Sequence, residues 1–256
     1  MNNYKESRIL LLSFFIIGMS DLAGLYIGLE HLWPWLVFGV FLMLTGVSFF
    51  PRIVRALGSD EGYDLTVKSG LRLLDNIWIS MLVLGCFLYT GSEVSLFTGL
   101  PVLLGERYGM HEYSMLITLG LLFVPILIGR LLFPLIQVLI KPRTFLLFSS
   151  LAAFSGLIML ILGAKIVVFA GIVVAGFGFA NIFRILYSFA INHLPEKKHE
   201  INFLVLVSAL GGAILPPLMT LMAFAAETTL GFAVPLFAIM YILLLTVITK
   251  ALEVGS

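Results

Sequence analysis

Eight times along this chain an apolar run is long enough to cross a hydrocarbon core of roughly 30 Å, which takes about 20 helical residues. The runs cover 8–29, 32–50, 76–104, 113–140, 144–163, 166–194, 202–224 and 229–252. In lipid every backbone N–H and C=O must be bonded within the protein, so segments of this kind are helices. The expected fold is therefore all-α, a polytopic membrane protein with about eight transmembrane helices. Composition agrees: 61% of residues are hydrophobic and 11% charged, against roughly 45–50% and 25% in a soluble domain. The run after Arg8 lacks a small-residue cleavage site and reads as a retained span rather than a signal peptide.

One hydrophilic segment interrupts the series. Between 51 and 75, Arg52, Arg55, Asp60, Glu61, Asp64, Lys68, Arg72 and Asp75 gather around Gly58 and Gly62. This divides the chain into a two-helix part (1–50), a cytoplasmic linker (51–75) and a six-helix bundle (76–256). Leu65, Leu71 and Leu74 would share one face of a short surface helix, and a solvated loop fits the same residues equally well.

Orientation follows from the basic residues. With the N-terminus in the cytoplasm, that side holds Lys5, Arg8, Arg52, Arg55, Lys68, Arg72, Lys141, Arg143, Lys197, Lys198 and Lys250, while the other holds Arg107 and Lys165. This bias places both termini in the cytoplasm and makes the plasma (inner) membrane the expected location. Trp33 and Trp35, flanking Pro34, fall at the opposite interface, where aromatic anchors belong. The net charge of +1 gives no pull toward nucleic acid.

The stretch Gly211-Gly212-Ala213-Ile214-Leu215-Pro216-Pro217-Leu218-Met219 reads as a broken membrane helix. Two glycines permit close approach, and a proline pair bends the helix; beside a polar pathway that arrangement has a use. Gly171, Ala175, Gly176, Gly178 and Ala180 predict close helix contact through small residues.

Charged groups deep in hydrocarbon cost about 2.5–3.5 kcal/mol on insertion scales, so they face a bundle interior or water. Asp21, Glu93, Arg130 and Arg184 are the candidates. Asp21 lies near the outer interface, where hydration allows a purely structural role. Glu93, with Ser92, Ser95 and Tyr89 beside it, either contacts a solute or is satisfied by these neighbours. Arg130 reads as a structural clamp on a carboxylate or on helix-end carbonyls. Arg184 and Asn181, three residues apart on one helix face, either present donors and an amide to a cavity or leave Arg184 to bind Glu93 and hold two helices together.

Other chemistries find no support in the sequence. His31, His111, His193 and His199 have no second ligand at metal spacing, and lone Cys86 reads as a small buried hydrophobe. No phosphate-cradling loop is present, nor a nucleophile with its base. The expectation is a non-enzyme with no cofactor and no metal, drawing energy from a gradient.

Several segments, in order, resemble the major facilitator superfamily and, within it, the fucose permease branch of sugar and proton symporters. Gly91-Ser92-Glu93-Val94-Ser95, preceded by Tyr89, is similar to the tyrosine and Gly-Ala-Glu-Val-Ser stretch of that branch's seventh span. Ile128-Gly129-Arg130 resembles the Ile-Gly-Arg of the eighth, and Lys141-Pro142-Arg143 the basic link after it. Ser188-Phe189-Ala190-Ile191 resembles the close of the tenth, and the Gly-Gly/Pro-Pro run the eleventh. Trp33-Pro34-Trp35 through Phe50-Pro51 looks like the sixth span and its exit.

The resemblance implies that 76–252 is the C-terminal six-helix half and 8–50 the last two helices of the N-terminal half, with the first four spans and most of the family's proton-coupling carboxylates lacking a counterpart. Glu93 takes the place of the seventh-span acid and Arg130 that of the eighth-span arginine. Arg184 stands where the branch usually has a proline, a departure from a neutral-sugar site. The implied function is proton-coupled transport of a small polar solute, such as a sugar, by alternating access. Tyr89, Glu93, Asn181 and Arg184 would bind the solute, Arg130 would act as a conformational lock, and Gly211, Gly212, Pro216 and Pro217 would bend a helix. The lipid bilayer and the solute are the expected partners, with a homodimer or a separate N-terminal-half chain completing the carrier. The rival reading is a non-transporting membrane protein of the same fold that acts as a binding or assembly partner.

Overall fold

A computed structural model describes residues 67–225 and 227–253. The spans expected at 8–29 and 32–50, with Asp21, Trp33 and Trp35, and the linker up to 66 lie outside the described residues. Within them the chain is helical between short turns, with no strand among the described residues. Six helical stretches are long and apolar enough to cross a membrane: Ile77–Tyr108, Ser114–Leu139, Pro142–Leu162, Lys165–His193, Pro195–Ala225 and Thr228–Ile248. They coincide with the last six expected runs, and they define an all-α polytopic membrane protein.

The first of these is a single helix, α2 (Ile77–Tyr108), and it follows the short α1 (Val67–Arg72). Asn76 caps α2, its side-chain oxygen accepting from Trp78 N at 3.0 Å, and Gly109 ends it at φ 67°, a left-handed conformation that suits a residue without Cβ. The second span consists of α3 (Ser114–Thr118), a wide π turn over Leu119–Phe123, and α4 (Val124–Leu139). Pro125 lacks the N–H that would continue regular bonding into that turn, which accounts for the local widening. The third span is α5 (Pro142–Leu162), with proline at its first position. The remaining three are each divided: α6 (Lys165–Phe179) with α7 (Ile182–His193), α8 (Lys198–Ser208) with α9 (Gly211–Ala225), and α10 (Thr228–Gly231) with α11 (Ala233–Glu253).

Helix α2 is the centre of the bundle, touching α7, α8, α9 and α11. Its Ile79, Leu82, Leu96, Leu100, Leu103 and Leu104 are buried, together with Ile239, Ile242 and Leu245 of α11. Leu131, Leu135 and Leu139 of α4 and Phe224 of α9 are largely exposed, as lipid-facing side chains must be. Since lipid tails are as apolar as leucine, close packing rather than hydrophobic expulsion holds such helices together. The seam between α5 and α6 illustrates this. A Cβ on Gly156 would stand 2.6 Å from Ala175 N and 2.7 Å from Gly171 O, and one on Gly171 2.9 Å from Gly156 O. Gly178 meets the Ala153 backbone in the same seam, so the expected small-residue contact is present. Gly176 faces elsewhere: a Cβ there would be 2.7 Å from Leu122 O, so this glycine admits the π turn of the second span.

The end of the linker is helical from Val67, the first of the two alternatives read from the sequence. Leu71 and Leu74 are exposed, whereas Leu73 is buried and Gly70 lies under the Phe203 ring. Contact with α8, not leucine spacing alone, sets the rotation of α1. Leu65 lies outside the described residues.

Candidate functional site

The α6–α7 span breaks at Ala180–Asn181, near the middle of its length. Asn181 has φ −132° and ψ 1°, outside the helical region, so the carbonyls of Phe179 and Ala180 lose the N–H groups that a continuous helix would supply. Both are instead taken by side chains from other spans. The Tyr89 hydroxyl donates to Phe179 O at 2.7 Å, and Arg130 Nε donates to Ala180 O at 3.2 Å. In return the Asn181 amide nitrogen donates to Gly129 O at 2.9 Å. Arg130 also donates through Nη2 to Glu93 Oε1 at 2.5 Å, forming an ion pair between α2 and α4.

The local sequence explains why these groups meet. Tyr89 and Glu93 are four residues apart on α2, hence on one face. Gly129 lets α4 come close to the break, because a Cβ there would sit 2.6 Å from Ala180 Cβ. The Tyr89 ring packs against Phe179 and Phe183, with centroids 5.7 and 5.9 Å away. Tyr89 and Asn181 are both 2% exposed, while the Glu93 and Arg130 side chains keep 19% and 33% of their accessible surface. The ion pair is therefore at the rim of the cluster, with Tyr89 and Asn181 behind it.

The structure thus brings together Tyr89, Glu93, Arg130 and Asn181. Of the two roles read for Arg130, carboxylate partner and clamp on helix-end carbonyls, the geometry shows both. Glu93 pairs with Arg130 and not with Arg184. Arg184 is exposed, and its guanidinium carbon lies 5.2 Å from the centroid of the Phe133 ring on α4. Phe133 is three residues beyond Arg130, which places Arg184 beside the same face of α4. The Asn181 side-chain oxygen is buried and makes no hydrogen bond in the described structure.

The Gly-Gly/Pro-Pro span is broken as expected, but not at the prolines. The turn is at Ala209–Leu210, nearly two helical turns before them, and Pro216 and Pro217 lie inside α9. Missing N–H groups at 216 and 217 release the carbonyls of Gly212 and Ala213 rather than their own, so the loosened segment is N-terminal to the pair. Tight three-residue turns precede it, at the break itself: Ala209 N to Leu206 O at 3.2 Å and Gly212 N to Ala209 O at 3.0 Å. Gly211 packs on the Phe87 backbone, and a Cβ on Gly91 would be 2.7 Å from Gly211 O. Gly212 is looser, with Val94 Cγ2 3.1 Å from a Cβ there. The stretch from Phe87 to Glu93 on α2 therefore lies between two helix breaks, touching one through Tyr89 and the other through Phe87 and Gly91.

Reasoning from sequence did not find the break at Ala180–Asn181. Its signal was Asn181 itself, a residue type favoured just outside helix starts, in a stretch whose glycines were explained by packing. No model of a known protein family matches the chain, and no curated protein matches it.

Proposed function

We propose that this protein is a secondary active transporter that carries a small polar solute across the membrane by alternating access, coupled to a proton gradient. The observation that supports this most is the position of the Glu93–Arg130 pair, held at a helix break and beside a second one. Broken helices with charged groups near the midplane are the usual construction of a transporter binding site. The partial exposure of both charges supports a watery rather than a lipid-facing surface there, since unshielded ions in lipid are costly. Alternating access requires a second bundle opposite, and a second copy of the chain or a separate chain fits that place. The likeness to fucose permeases is consistent with this reading, with both termini cytoplasmic in the inner membrane.

The test is uptake of labelled solutes by proteoliposomes containing the full chain, under an inward proton gradient. Uptake is expected to fall when a protonophore collapses the gradient, and to be lost or uncoupled in Glu93→Gln. Gradient-driven uptake unchanged by Glu93→Gln would remove Glu93 from the mechanism. No uptake under any condition would favour the rival, a non-transporting assembly partner.

A further inference from the structure

Glu93 and Arg130 balance each other, and Arg184 is a third charge beside them. Among the described residues it makes neither an ion pair nor a hydrogen bond. It is exposed, and it lies within electrostatic reach of Arg130, whose like charge repels it. The three charges sum to one surplus positive charge near the middle of a membrane span. Such a charge facing hydrocarbon would cost about 2.5–3.5 kcal/mol, so it faces water or an anion.

The geometry of the guanidinium matters here. Its central carbon lies 5.2 Å from the centroid of the Phe133 ring, a cation–π contact that uses none of its N–H groups. An arginine whose N–H groups are unused within the described protein is suited to a carboxylate, which it grips through two parallel hydrogen bonds. Arg184 is also the third residue of α7, whose start carries the partial positive charge of a helix N-terminus, and Asn181 does not cap that end with its side chain. Arginine, aromatic support and helix end all favour the same sign of ligand.

We infer that the solute is a small carboxylate, held by the guanidinium of Arg184 beside Phe133, rather than a neutral sugar. This rests on the transport reading above and names the class of its solute. The experiment compares uptake of D-glucuronate and D-glucose, which differ in charge at one carbon, by proteoliposomes of the full chain. Wild-type protein is expected to take up glucuronate at least tenfold faster. Arg184→Gln should raise KM for glucuronate roughly tenfold to a hundredfold, the range for one charged hydrogen-bonded contact. Arg184→Lys should keep part of the affinity, having the charge without the fork. The thermal unfolding midpoint of both variants should stay close to wild type, because beyond its contact with Phe133 Arg184 makes no hydrogen bond or ion pair with the described residues. Preference for glucose, or glucuronate uptake indifferent to Arg184→Gln, would overturn the carboxylate assignment and leave transport standing. Uptake of neither solute would overturn both.

Discussion

Replacing Arg130 by Met, an unbranched apolar side chain that is shorter, removes the donor to Ala180 O and the cation paired with Glu93. Removing one member of a buried ion pair costs about 3–5 kcal/mol, mostly because the other charge is stranded. Glu93 and Arg130 keep 19% and 33% exposure, so screening lowers the expected loss to about 2–3 kcal/mol, of which the bond to Ala180 O accounts for about 1. Glu93→Gln retains an oxygen facing Arg130 and should cost about 1 kcal/mol. If the two side chains act as one unit, the double variant should fall short of the sum of the single losses by about 1 kcal/mol. Equilibrium unfolding of the purified chain in mixed micelles, with SDS as denaturant, measures all three. Losses that add within about 0.3–0.5 kcal/mol would show that the pair contributes no coupling and that the clasp is not held by its charges.

Three further outcomes follow from the same geometry. Tyr89→Phe, which keeps the ring contacts and orphans Phe179 O, should destabilise by about 1–3 kcal/mol in the same assay, and amide exchange at residues 182–185 should speed up. Gly91→Ala puts a methyl group 2.7 Å from Gly211 O, so α2 and α9 must separate, at a cost of about 1–3 kcal/mol, visible as a lower unfolding midpoint. Cysteines placed at Lys141 and Lys197 should react with an impermeant thiol reagent from one side of the membrane and a cysteine at Arg107 from the other; labelling of 141 and 197 from opposite sides would refute the alternation of spans.

The described spans were legible because length and hydropathy are local properties. Their ends were less so: charged Glu106 and Arg107 suggested that the run from 76 ends at 104, yet α2 continues to Tyr108, where Gly109 stops it. Partner choice was not legible, because the pairing of Glu93 with Arg130 rather than Arg184 depends on how α2, α4 and α7 are rotated about their axes. That rotation is set by close approaches such as Gly129 to Ala180 and Gly91 to Gly211, between residues far apart in sequence. The prolines announced a bend but not its place: a missing N–H frees the carbonyls of Gly212 and Ala213, and the break lies further back, at Ala209–Leu210. Asn181 was the signal of the other break, but its residue type did not disclose its role: its amide nitrogen donates across the interface to Gly129 O, and its oxygen does not cap α7.

The glycine seam between α5 and α6 carries a mechanical consequence. With Gly156, Gly171 and Gly178 bringing the two backbones into contact, these helices behave as one stiff plank, and the helix break at Ala180–Asn181 lies just past its edge. Any swivelling of this span is then confined to α7, which carries Arg184 with it while the plank stays still.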